Sequence, residues 1–562
     1  MDPEKSRSPR PSITSIPRLD SSSESSSSLL AFDDRPDHLN LVPVLPFTPK
    51  NKSSHHCFSN KNCLYIIFGS VVVGFFVFIV GLFKNGNFSE PSGPINVILM
   101  ISDGFGPASE TLARQFYQVT NDLPVSWKSP LDDILVGSSR TQSSDSLVTD
   151  SAAGATAFSC AIKSYNGAIG VDPSQKACGT VLEAAKLKGM LTGLIATSRI
   201  THATPGSFAA HVTSRDMEDL IAQYLVGNFS LGPTVDLLFG GGKCFFLPKE
   251  DPYSCRKDSL DLISDAQKRG FSSIKSLHEL NSLNPDHKLP LLGLFSGSHM
   301  DYEIDRDPST QPSLANMADK ALKILKESSK KSNTGFFLMI EGSRIDMAAH
   351  SNDPATHVRE IISYWDTVKL VRRFVDQNPN TVMISVSDHE TGGLSVARQL
   401  GTAYPDYLWR PEILKNVKKS IEVISKKLLY FFNDSPGSTS QHKVDFVKNV
   451  VFGKWLEIHD YNDQELYSLT NATQSTDLRQ SLSDIVSKRA LLGWATHGHS
   501  AVDVNLYSHG YKSDQLRGNV ENTDVGAFIR DILKLDLDKV TKMISNDPVK
   551  QKTPFSSSEW LG

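Results

Sequence analysis

From Pro94 onward the chain alternates short apolar runs with segments of helical periodicity. The runs Asn96–Ser102 (NVILMIS), Leu191–Thr197 (LTGLIAT), Val235–Gly240, Gly335–Ile340 and Thr381–Ser387 (TVMISVS) are apolar at almost every position. That is the pattern of strands buried on both faces. Thr180–Lys188 and Leu314–Ser328, lying between them, repeat their apolar residues at helical spacing. Strand–helix alternation of this kind predicts an α/β fold, a sheet covered by helices on both faces. Residues near 400–490 break the rhythm and read as an inserted subdomain. The chain from about 536, ending QKTPFSSSEWLG, reads as a polar C-terminal tail outside the core.

The N-terminal part has a different texture. Residues 1–62 are rich in Ser and Pro, with Ser21 to Ser28 interrupted only by Glu24. Such a segment buries too little apolar surface to offset its ordering entropy and is expected to be disordered. Leu64–Phe83 (LYIIFGSVVVGFFVFIVGLF) then carries no charge. About twenty such residues span a hydrocarbon core of roughly 30 Å, so a membrane helix is expected. Lys50, Lys52 and Lys61 precede it, whereas only Lys84 follows before Arg114. The positive-inside rule leaves the N-terminus cytosolic and sends the rest across, making a single-pass, type II signal anchor with a linker at 84–94.

That topology extends to the large domain. Asn87, Asn228, Asn433 and Asn471 sit in N-x-S/T sequons, all after the span. Pro436 follows the sequon of Asn433 and Asn87 hugs the membrane, so glycans are expected on Asn228 and Asn471. Cys244 and Cys255 are expected to close a short loop as a disulfide, the alternative being two free thiols, and Cys160 to be a small core residue.

Composition narrows the classes. Among 562 residues, 39% hydrophobic and 21% charged permit a sizeable core, and a net charge of −4 gives no basic field for a dedicated nucleic-acid binder. Six cysteines without a CxxC pair exclude a structural zinc finger and a disulfide scaffold.

Polar residues gather where the strands end, which is where α/β sheets place their sites. Asp103 follows the first strand in SDGFG, Glu341 follows the fourth in EGSRIDMAAH with Asp346 and His350, and Asp388 and His389 follow the fifth in SDHETGG. TDSAAGATA holds Asp150 and Ser151, THATPGSFAAHVTSR holds His202, Thr204 and Arg215, and WATHGHSAVDV holds His497 and His499. Singly, each has an ordinary explanation: a helix cap, a surface histidine, a solvated charge. Together, carboxylates crowded at adjacent strand ends would repel one another without divalent cations between them. Mixed nitrogen and oxygen donors suit zinc, and all-oxygen positions suit magnesium. A metal cluster with a serine and an arginine invites phosphate, because a guanidinium fits two phosphoryl oxygens.

Taken in chain order, SDGFG, TDSAAGATA, HATP…VTSR, EGSRIDMAAH, SDHETGG and THGHSAVDV resemble the motifs of the alkaline phosphatase family throughout roughly residues 95–535, and with the tail and anchor the chain resembles its fungal vacuolar branch. The resemblance implies a three-layer α/β/α sandwich with a large mixed, mostly parallel sheet, a crown-like insertion and a homodimer. It implies hydrolysis of phosphate monoesters with broad specificity through a phosphoserine at Ser151, with Asp150 positioning the site and Arg215 binding phosphate. Two Zn2+ and one Mg2+ per subunit are implied: Asp346, His350 and His497 at the first zinc, Asp103, Asp388 and His389 at the second, and Asp103, Thr204 and Glu341 at magnesium. His497 is preferred to His499 because the family's V-x-V then aligns without a gap, as Val502 and Val504. His202 stands where bacterial members carry Asp, and Met347 where many carry Lys or His.

Other readings keep the metal core but change the chemistry, to a phosphodiesterase or sulfatase, or keep only binding, as an inactive membrane-anchored metal or phosphate binder. The resemblance places the catalytic domain in the vacuolar lumen. Leu29–Leu30, after Glu24 and a run of serines, resembles an acidic dileucine signal for a sorting adaptor.

Overall fold

A computed structural model of the chain describes residues 93–434 and 439–546. The expected disordered tail and membrane anchor, Leu64–Phe83, lie outside the described residues. Among the described residues no helix is long and apolar enough to cross a membrane.

The main sheet has ten strands: β1 (Asn96–Ile101), β2 (Leu135–Ser139), β3 (Leu191–Arg199), β4 (Leu237–Gly241), β5 (Ser272–Ile274), β6 (Leu291–Leu294), β7 (Phe336–Glu341), β8 (Thr381–Val386), β13 (Val504–Gly510) and β14 (Gly518–Val520). Four short strands form two ribbons outside it, β9 (Glu390–Thr391) with β12 (His499–Ser500) and β10 (Ser395–Val396) with β11 (Leu492–Gly493). The order across the sheet is β14-β2-β13-β8-β1-β7-β3-β4-β6-β5. Within this sheet every pairing is parallel except those of β13 with β8 and β2.

The five apolar runs became β1, β3, β4, β7 and β8, each within two residues of its expected limits. Alternate side chains feed two separate cores. Ile98, Met100, Leu338, Ile340 and Met383 face one, and Val97, Leu99, Phe337, Met339 and Ile384 face the other, all fully buried. The first core is closed by the helices Pro107–Thr120, Leu314–Ser332 and Pro354–Asp376, and the second by Ser151–Cys160, Val181–Leu187, Glu218–Leu225 and Asn522–Ile532. Each such strand residue contributes roughly 1.5–3 kcal/mol by leaving water, which is why the pattern was so strong.

Residues 400–490 are an excursion made mainly of helices that leaves after β10 and returns at β11, so that pairing forms its neck. Its Leu414, Ile421, Leu428, Phe452 and Leu482 join the first core. The expected polar tail begins differently. Leu537–Ile544 is a helix whose Val540 and Ile544 are buried, and Thr541 Oγ1 accepts from the Gly179 N–H at 2.8 Å. Apolar residues spaced i, i+4 give it one side to bury, despite the polar residues around them.

Candidate active site

Parallel register brings the carboxylates to one level. Ile101 pairs with Glu341 and with Val386, so Asp103, Glu341 and Asp388 emerge together at the carboxyl edge of β1, β7 and β8. Gly104, at φ +75°, turns the chain away directly after Asp103, and a Cβ there would lie 2.6 Å from Asp346 Cα.

Ser151 opens the helix Ser151–Cys160 and is 2% exposed. Asp150 caps that helix, its Oδ1 accepting from the Ala153 N–H at 2.9 Å. The serine oxygen therefore lies at a helix N-terminus, where free N–H groups favour an anion. Gly154 lets the helix press on the strand end, since a Cβ there would stand 2.9 Å from Asp388 Cβ. The result is close convergence. Ser151 Oγ lies 3.1 Å from His389 Nε2, and that nitrogen lies 3.4 Å from Asp103 Oδ1 and 3.3 Å from Asp388 Oδ2.

Thr391, which sequence reasoning passed over, sets the His389 ring. Its hydroxyl donates to Asp346 Oδ1 at 2.6 Å and sits 3.2 Å from His389 Nδ1. Having donated its only proton, it accepts from Nδ1–H, which leaves the Nε2 lone pair facing the carboxylates.

A second group forms beside the first, and here the structure corrects the sequence reading. Asp346 Oδ2 lies 3.3 Å from His350 Nε2, and His350 Nε2 lies 3.2 Å from His499 Nε2. His497 is not in the group. Its exposed ring turns to Gln480 Oε1 at 2.6 Å, while its carbonyl oxygen accepts from His350 Nδ1. The cause is the β9–β12 pairing, which sets His499 opposite Thr391 and stacks its ring on His389 at 3.5 Å between centroids. His499 Nδ1 meets the Thr149 carbonyl at 2.7 Å, so its Nε2 also presents a lone pair.

A third group joins Asp103 with Glu341 and His202, and the Thr204 hydroxyl bears on Glu341. Arg215 reaches the site between two supports, donating to Asp150 Oδ2 at 3.0 Å and to His202 Nε2 at 3.2 Å. With Nε2 accepting, the neutral His202 ring carries its proton on Nδ1, so Asp103, Glu341 and Thr204 are left as an all-oxygen set. Met347 contributes no charge; its sulfur accepts from Arg344 at 3.1 Å.

The donor atoms fit divalent cations. In Asp346/His350/His499 and Asp103/Asp388/His389 they lie within 4.8 Å of one another, and Asp103 and Glu341 meet the same limit with a ring nitrogen of His202 beside them. Asp103 Oδ1 and Oδ2, Glu341 Oε1, Asp388 Oδ2 and Thr204 Oγ1 are buried without a hydrogen-bond partner. Burial first, and then Asp388, Asp346 and Glu341, push Asp103 well above the usual carboxylate range. Burial likewise raises Asp388 and Glu341 to about 7, with Asp346 adding to both. For Asp346 burial also favours the neutral form, but His350, His499 and His389 outweigh it and hold it low. Orphaned carboxylates at this density call for positive charge.

The chain matches the alkaline phosphatase family model over residues 95–535. It is 45% identical over 524 residues to the repressible alkaline phosphatase of Saccharomyces cerevisiae, covering 89% of this chain and 92% of that protein. It is 47% identical over 459 residues to an alkaline phosphatase of Schizosaccharomyces pombe, covering 81% and 84%. The cold-active alkaline phosphatase of Shewanella sp. superposes with a TM-score of 0.66 at 31% identity, over 78% of this chain and all of that one. That of Thermus thermophilus gives 0.67 at 26% identity, over 80% and 95%. A family match across most of the chain, relatives at this identity and a fold shared with solved members lead to one conclusion: the chain belongs to the alkaline phosphatase family.

Proposed function

We propose that this protein hydrolyses phosphate monoesters to alcohol and inorganic phosphate, with Ser151 as the nucleophile that becomes phosphoserine. The observation that carries the reading is Ser151 Oγ at 3.1 Å from His389 Nε2, on a helix N-terminus whose cap, Asp150, also holds Arg215. Asp346, His350 and His499 would hold one zinc, Asp103, Asp388 and His389 a second, and Asp103, Glu341 and Thr204 a magnesium, as nitrogen-containing and all-oxygen donor sets suit those ions. When bound, such cations supply the positive charge that phosphoryl transfer needs.

The chain's own groups do the rest. Arg215 offers its guanidinium to two phosphoryl oxygens, and Asp150 and His202 hold its plane. The N-terminus of the helix that Ser151 opens favours an anion beside the nucleophile. Ser151 attacks phosphorus, the alcohol leaves, and water then attacks the phosphoserine to release phosphate. The groups named here act on the phosphoryl oxygens and the nucleophile, so broad specificity for the alcohol is expected. Assays of p-nitrophenyl phosphate, its bis-ester and p-nitrophenyl sulfate test the reading. Monoester turnover is expected to exceed both others by at least about a hundredfold and to vanish with chelator; a preference for bis-ester or sulfate would overturn it.

The same proposal places the catalytic domain in an oxidising lumen, anchored by Leu64–Phe83 and, by likeness to the fungal relatives, in the vacuole. Its support is the Cys244–Cys255 disulfide, with Cα atoms 5.0 Å apart, and the exposure of the sequon residues Asn228 and Asn471. Peptide mapping without reduction is expected to find Cys244 joined to Cys255. A free Cys244 in protein isolated from cells would contradict the lumenal placement.

A further inference from the structure

Behind Arg215 lies a buried charge that the chemistry above does not use. His211 is 2% exposed, and each ring nitrogen meets an acceptor: Nε2 is 2.9 Å from Glu183 Oε1, and Nδ1 is 2.7 Å from the Gly170 carbonyl oxygen. With a carbonyl on one side and a carboxylate on the other, both nitrogens carry protons, and the ring is an imidazolium paired with Glu183. Burial opposes that charge, but Glu183 and the two hydrogen bonds prevail and raise His211 to about 9. Glu183 is itself fixed, its Oε2 accepting from the Thr180 N–H at 3.0 Å. A fully buried ion pair contributes little net stability, so what it holds in place matters more.

It holds one end of a short ladder. The segment from His211 to Arg215 runs beside residues 165–170. Ile169 and Val212 exchange N–H···O bonds of 3.1 and 3.0 Å, Tyr165 Oη donates to the Thr213 carbonyl at 3.1 Å, and the Arg215 N–H donates to the Gly167 carbonyl at 2.8 Å. The Gly167 N–H in turn donates at 3.0 Å to Asp150 Oδ2, the atom that receives the Arg215 guanidinium. Gly170 N–H donates at 3.1 Å to Thr156 Oγ1 within the Ser151 helix. His211 and Glu183 thus close the far end of the ladder whose near end carries Arg215, Asp150 and the nucleophile's helix.

We propose that the buried His211–Glu183 pair is a positioning device for Arg215, fixing the guanidinium against Asp150 by clamping this ladder. The proposal rests on the reading of Arg215 as the phosphate-binding residue. Its test compares His211→Gln, Glu183→Gln and the double variant, each with Arg215 intact and with Arg215→Ala. The double variant removes both charges and so strands neither in the core.

With Arg215 intact, KM for p-nitrophenyl phosphate and the inhibition constant of inorganic phosphate are expected to rise about tenfold, the scale of a charge-assisted hydrogen bond partly lost, with kcat within about threefold. In the Arg215→Ala background the same substitutions are expected to change KM by less than about twofold, because the group they position is gone. Equal KM effects in both backgrounds, or an unchanged KM in the double variant, would overturn the proposal. Loss of the folded state in all three variants, read by circular dichroism, would assign the pair to stability alone and overturn it too. If Arg215→Ala by itself leaves KM and phosphate inhibition unchanged, the reading of Arg215 falls, and the positioning role falls with it.

Discussion

Ser151→Ala is expected to lower kcat for monoesters by roughly 10³- to 10⁵-fold while leaving the fold and phosphate affinity nearly intact. The hydroxyl is the only part removed, and Asp150 rather than Ser151 caps the helix. Ala is also the best helix former, so the stability change should stay within about 0.5 kcal/mol. Arg215 and its supports do not depend on the hydroxyl, so competitive inhibition by inorganic phosphate should change by less than about threefold. Steady-state assays with phosphate titration and thermal melts check all three parts. Near-parental turnover would remove Ser151 as the nucleophile, and a large fall in Tm would make any loss of activity uninformative about chemistry.

Replacing His499 is expected to be far more damaging than replacing His497, although the two lie in one short motif. His499→Ala removes one of three donors gathered with Asp346 and His350. Loss of an outer partner of a metal ligand costs about 10–100-fold in affinity, and loss of the ligand itself should exceed that. Zinc content after dialysis should fall by about one ion per chain, and activity at limiting zinc by at least about a hundredfold. His497→Ala removes an exposed ring bonded to Gln480 and, through Nδ1, to the His350 carbonyl at 2.8 Å, but keeps the backbone carbonyl that orients the His350 ring. Its activity and zinc content should stay within about twofold of the parent. Elemental analysis alongside kinetics settles the assignment, and the opposite ranking would restore His497.

That pair of histidines marks where the sequence stops being sufficient. Asp103, Glu341 and Asp388 were legible because each directly follows a nearly continuous apolar run, and parallel register of the strands those runs form then fixes their level. Asp346 and His350 were legible as helical neighbours four apart. Nothing local separates His497 from His499; the choice is made by the pairing of two-residue strands β9 and β12, formed by segments far apart in the chain. Thr391 was invisible for a similar reason, since its role exists only once His389 and Asp346 are on either side of it.

The fold shows the same division. Interior strands announced themselves through burial on both faces, whereas β5, β6 and β14 are only three or four residues long, and β2 and β13 are partly exposed. Burial on one face leaves a weaker pattern, and the antiparallel course of β13 has no signature in composition. The helix Leu537–Ile544 hid among polar residues because eight residues need few apolar positions to dock.

The most direct test of the account is to quench the protein in acid during turnover of a radiolabelled monoester and map the label by peptide. Phosphate is expected to be bound covalently to the peptide that contains Ser151, and to be absent from Ser151→Ala and after chelation. Rapid turnover with no protein-bound phosphate, or with the label on another residue, would contradict it.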